Sequence, residues 1–160
     1  MLTLLSDRTE EVARFRADPW PFQHTFQTPS KELHRFVSTF LAPFSLDKGS
    51  LSTDEVVFDP QVLLELMANN SIKVGNHWKW NLGVEGDQGV AELLESALSD
   101  PVDFVFVPTP ELFAIYADHD GYITFYAPNE ITLLKLISDL ESAGFESVEY
   151  TRGSSEGRWR

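Results

Sequence analysis

The chain has 160 residues, no cysteine, and a formal charge of −13 from 25 acidic and 12 basic residues. Without thiols, disulfides, iron-sulfur clusters and cysteine-based zinc sites are excluded, and any metal would need histidine and carboxylate ligands. The 42% hydrophobic content argues for a packed globule rather than a disordered chain.

The acidity is uneven. Residues 1–50 balance, residues 51–150 hold eighteen acidic against three basic side chains, and residues 151–160 are net basic. Such a field repels nucleic-acid phosphates and anionic membranes and attracts basic proteins, so the expected partner is a basic protein, with no nucleic acid and no membrane. The opening Met1–Leu5 run is a poor secretory signal, because Asp7 interrupts it and no basic region precedes it. No apolar stretch has the length of a membrane span, and a cytoplasmic location is expected.

Asp7 and Glu10 stand at capping-box spacing, and with Val12 and Phe15 on one face they predict a first helix over Asp7–Ala17. Pro19 and Pro21 stop it and leave an extended aromatic connector through Trp20, Phe22, His24 and Phe26. A second helix is expected from Thr28 as N-cap and Pro29 at the first position, burying Leu33, Phe36, Val37, Phe40 and Leu41. Ser45–Asp54, rich in serine, aspartate and glycine, reads as a loop where a subdomain boundary would fall; otherwise residues 1–160 read as one domain.

A strand at Glu55–Phe58 and a helix opened by Asp59-Pro60, carrying Leu63, Leu64 and Met67, come next. Ile72–Leu82 reads as extended, with Trp78 and Trp80 on one face and His77 and Lys79 on the other. Asp87 is placed to cap a helix that buries Val90, Leu93, Leu94, Ala97 and Leu98. The glycines at 83, 86 and 89 lie between strand and helix, but Glu85 and Asp87 would repel a phosphate there, so the segment reads as a turn.

Val102–Val107, Leu112–Asp118 and Tyr122–Ala127 have strand composition, and Asp120-Gly121 predicts a two-residue hairpin that sets His119 opposite Tyr122. Asn129 caps a last helix whose inward face is either Ile131, Leu134 and Ile137 or Leu133, Leu136 and Leu140, with Gly144 at its C-terminal end. A strand over Phe145–Tyr150 follows. The expected class is α+β: a mixed, mainly antiparallel sheet with helices packed on it and two N-terminal helices.

The residues with most chemical promise are Asp118, His119 and Asp120, where two carboxylates flank an imidazole, with His77 as a further candidate brought near by the sheet. No metal-binding spacing appears among His24, His34, His77 and His119, so no metal and no cofactor are expected. The acidic candidates for a partner surface are Glu85, Asp87, Glu92, Glu95, Asp139 and Glu141. In size, acidity and mixed pattern the chain is similar to bacterial immunity proteins that neutralise basic toxins, a likeness of type that transfers no residues. The leading expectation is therefore an acidic, non-catalytic module that binds a basic protein. Its alternatives are a small metal-dependent hydrolase using the Asp118-His119-Asp120 hairpin, and a structural subunit of an assembly.

Overall fold

The computed structural model describes residues 1–5, 20–56, 58–74 and 79–149. Eight strands among the described residues form one sheet: β1 (Leu2–Leu4), β2 (Phe22–Gln27), β3 (Lys48–Val56), β4 (Asn81–Glu85), β5 (Val102–Thr109), β6 (Ala114–Ala117), β7 (Tyr122–Ala127) and β8 (Ser147–Val148). Their order is β1-β4-β3-β5-β6-β7-β2-β8, and every neighbouring pair is antiparallel. Four helices occur among the described residues: α1 (Leu33–Leu41), α2 (Gln61–Asn69), α3 (Asp87–Leu98) and α4 (Glu130–Ser142). Of the two expected N-terminal helices, the described residues contain only α1; the one expected over Asp7–Ala17 lies outside them.

The helices cover one face of the sheet in the order α2, α3, α1, α4, each packed on its neighbour, with α3 against β3, β4 and β5 and α4 against β2 and β7. Their inward stripes meet alternate strand residues, as the two-residue strand period requires. Phe36, Phe40, Leu63, Leu93 and Leu136 from the helices are fully buried with Phe26, Leu51, Leu82, Phe104, Ile115 and Phe125 from the strands. Phe40 stands edge-on to Phe125 at 5.1 Å and to Phe113 at 6.4 Å, which adds about 0.5–1.5 kcal/mol per ring pair beyond the area buried. On the opposite face Val105, Val107, Ala114, Tyr116 and Tyr126 form a second buried cluster, with Trp20 packed against it.

Several boundaries depart from the sequence reading. Of the loop expected over Ser45–Asp54 only Ser45–Asp47 is irregular, since Lys48–Val56 is the nine-residue strand β3, paired on both sides with β4 and β5. Its polar residues belong there because Ser52 and Thr53 are buried between neighbours, and Gly49 makes room for the Phe106 ring. Helix α1 starts at Leu33, four residues beyond Pro29, because the Thr28 amide donates to Gly121 O at 2.8 Å and prolongs β2 beside the hairpin. The residue at its N-cap is Glu32, in the left-handed region at φ 61°.

Asp87 is the first residue of α3 rather than its cap, a position taken by Gly86 at φ 82°, a conformation glycine reaches without strain. Gly89 lets the helix lie against β4, since a Cβ there would stand 2.7 Å from Val84. The glycine spacing thus serves strand-to-helix packing. Helix α2 takes its cap from a distance: Asp100 accepts from the Val62 amide at 3.2 Å and the Leu63 amide at 2.7 Å. In α4 the Asn129 side chain accepts from the Thr132 amide at 2.9 Å, as the sequence predicts. The buried face is Leu133, Leu136 and Leu140, leaving Ile131 81% exposed. Of the strand expected over Ile72–Leu82, residues 75–78 lie outside the described ones, and among the described residues only Asn81 and Leu82 are in β4. Of that expected over Phe145–Tyr150, residue 150 lies outside them, and among the described residues only Ser147–Val148 is strand.

Candidate functional site

Two regions bring together residues of the kinds singled out above. The first is the β6–β7 hairpin. Here Ala117 pairs with Ile123, and the Asp118 amide donates to Tyr122 O at 3.0 Å. Residues 119–121 therefore form a three-residue loop with Gly121 at φ 90°, one residue out of the expected two-residue register. The cause is Asp118 itself, whose Oδ1 accepts from the Asp120 amide at 3.0 Å and the Tyr122 amide at 3.1 Å, the local side-chain bonding that lets aspartate direct a turn.

His119 is oriented by a carboxylate that sequence reasoning passed over. Asp103, on β5 and 1% exposed, accepts at Oδ1 from the His119 amide and from its Nδ1, both at 2.7 Å. The Tyr116 hydroxyl donates to Asp103 Oδ2 at 3.3 Å and lies 3.4 Å from Asp54 Oδ2. Asp120 stands farther off, 3.7 Å from His119 Nε2. A carboxylate on Nδ1 fixes the tautomer and the orientation of the ring, the arrangement used both in acid-base sites and in plain structural anchoring. A cleft of about 270 Å³ adjoins the hairpin, lined by Thr28, Ser99, Asp100, Asp118 and His119 among others. Among the described residues no group of three or more histidines and carboxylates could hold a metal ion. His77 lies outside the described residues.

Asp103 had one signal available in the sequence. A charged residue inside the apolar run Val102–Val107 sits where a central strand is buried on both faces, and a buried charge calls for specific partners.

The second region is the start of α3. Glu85 from the end of β4, Asp87 from the first turn of α3 and Glu92 one turn later line a single cleft of about 480 Å³, whose apolar walls come from Leu2, Leu66, Val84 and Leu93. The β4–α3 turn that gathers the carboxylates is held by the Gly86 amide donating to Asp47 O at 2.9 Å. Asp87 adds a second tie, its Oδ1 accepting from the Leu46 amide at 3.1 Å. Among the described residues no lysine, arginine or histidine lines this cleft, while Met1, with its terminal amino group, does.

The other three acidic candidates are elsewhere. Glu95 faces α1 and contacts His34 Nδ1 at 3.1 Å. Asp139 pairs with Lys135 at 3.0 Å, and Glu141 accepts from the Ser147 hydroxyl at 2.9 Å. Both of these lie on α4, the last helix of the layer. The six anions therefore do not form one patch; three share a cleft and three are engaged locally.

What the fold and the two regions define is an α+β protein with an eight-stranded antiparallel sheet, helices on one face, and an acidic cleft where β4 meets α3. Compared with protein families, curated proteins and solved structures, the chain gives no match. No helix among the described residues is long and apolar enough to cross a membrane.

Proposed function

We propose that this protein is a binding module that engages a basic protein partner, as an immunity-type protein does, through the cleft at the start of α3. The observation that carries this reading is the convergence of Glu85, Asp87 and Glu92 on one cleft that, among the described residues, no lysine, arginine or histidine lines. Carboxylates gathered on a partly apolar wall favour a guanidinium or ammonium group that arrives with a long aliphatic stem. The chain's charge of −13 would further speed the approach of a cationic protein.

The test is titration of a synthetic arginine-bearing peptide into the full chain at low and at physiological salt. Exposed charge pairs contribute about 0.2–1 kcal/mol each, so Glu85→Gln, Asp87→Asn and Glu92→Gln together should weaken binding by about tenfold at low salt. Asp139→Asn with Glu141→Gln should change it less than twofold. Binding that ignores salt, or an equal loss in both variants, would remove the reading.

A second reading, acid-base hydrolysis at the hairpin, draws on the Asp103 carboxylate at His119 Nδ1. It requires hydrolysis of activated esters or phosphates that His119→Gln abolishes; turnover unaltered by that substitution rejects it.

A further inference from the structure

The first turn of α3 is a ridge with a hollow on either side. Opposite the acidic cleft lies an apolar groove of about 320 Å³, bounded by Leu41 at the end of α1, Phe44 and Leu46 in the following link, and Val90 and Ala91 on α3. Asp87 and Gln88 line both hollows. The bond from the Leu46 amide to Asp87 Oδ1, at 3.1 Å, ties the wall of the groove to the carboxylate on the ridge. Among the described residues no lysine, arginine or histidine lines this groove either.

The geometry points to a partner segment that carries an apolar side chain next to its cationic one, the cation held by the carboxylates of the cleft and the apolar side chain seated between Leu41, Phe44 and Ala91. This rests on the basic-partner reading and specifies its chemistry. A groove of this size is at the lower end of small-ligand pockets and takes one or two side chains rather than a helix face. Charge complementarity selects the occupant. A second copy of this chain would bring another net-acidic surface against Asp87, whereas a basic, apolar segment satisfies both hollows at once.

The experiment uses the full chain and two synthetic peptides, one with arginine and leucine close in sequence and one with that leucine replaced by alanine. Loss of a buried leucine side chain should weaken binding to the native chain by about tenfold. Two variants fill the groove from opposite walls without altering charge: Ala91→Leu on α3, and Ser38→Leu on the exposed side of α1. Against either one, the two peptides should bind within twofold of each other. If the peptides bind the native chain equally while Glu85→Gln/Asp87→Asn/Glu92→Gln still loses affinity, the apolar contact is wrong and the basic-partner reading stands. If neither peptide binds, both fall. Should the chain dimerise with concentration in sedimentation and Ala91→Leu abolish the dimer, the groove is a self-contact and the inference is overturned.

Discussion

One oxygen of the Asp103 carboxylate holds both the backbone amide and the imidazole Nδ1 of His119, each at 2.7 Å, and so joins the floor of β5 to the tip of the β6–β7 hairpin. With Asp103 buried, removing its acceptors strands donors that water does not readily reach. Asp103→Ala should therefore lower stability by about 2–4 kcal/mol in urea unfolding. His119→Ala, which removes a partly exposed ring, should cost less. Equal losses, or one below about 1 kcal/mol for Asp103→Ala, would show that this carboxylate does not hold the hairpin.

Asp100 caps α2 from the turn after α3, and its pKa is raised above the ordinary 3.8, first by burial and against the opposing influence of the Leu63 and Val62 amides. A carboxyl that holds its proton more tightly when folded adds stability that is full below pH 3.8 and disappears as pH rises through the folded value. Asp100→Asn keeps an amide acceptor for the helix and has no charge to desolvate. Its stability relative to the native chain should therefore improve between about pH 3 and pH 6. A difference that stays flat across that range refutes the assignment. Asp100→Ala should cost about 1 kcal/mol near pH 3, as loss of a cap does, and progressively less as the pH rises toward 6.

His24 on β2 reaches β8, its Nε2 lying 2.7 Å from the Ser147 hydroxyl, which in turn donates to Glu141 at 2.9 Å. Burial lowers the His24 pKa below 6.5, and the Glu141 charge partly offsets this. The folded chain then binds fewer protons than the unfolded chain, so this contribution is intact above pH 6.5 and is lost as pH falls through 6.5 toward the folded value. Denaturation at pH 7.5 and 5.5 should show a loss in the native chain that His24→Asn lacks. Glu141→Gln, by removing the influence that raises the pKa, should steepen the loss.

Gly49 on β3 is held to its size by Phe106 on β5, since a Cβ at residue 49 would come within 2.5 Å of the ring. Gly49→Ala should destabilise by about 1–3 kcal/mol through overpacking. Adding Phe106→Leu should cost less in that background than in the native chain. A double-mutant cycle measures this coupling, and strict additivity would mean that the ring moves aside freely.

The helices were the most legible part of the fold. The stripes Phe36-Val37-Phe40 and Val90-Leu93-Leu94-Ala97 each follow the 3.6-residue period, and each is buried as a set. Strand β3 escaped because its residues alternate between neighbours that tolerate serine, threonine and glycine, so it lacks the apolar rhythm by which strands are read. For α4 the sequence offered two apolar faces, and packing against β2, β7 and α1 chose Leu133, Leu136 and Leu140.

Local chemistry determined what needs only neighbours in the chain: the Asn129 cap, the turn at Gly121, the helical stripes, the absence of thiol chemistry and the excess of negative charge. Tertiary structure decided everything that depends on which segments meet. It set Asp103 under His119, 16 residues away, and Asp100 on α2, and it gathered Glu85, Asp87 and Glu92 while dispersing Glu95, Asp139 and Glu141. The physical reason is that a hydrogen bond or an electrostatic field depends on distance in space, and strand order, which no single segment encodes, converts separation along the chain into that distance.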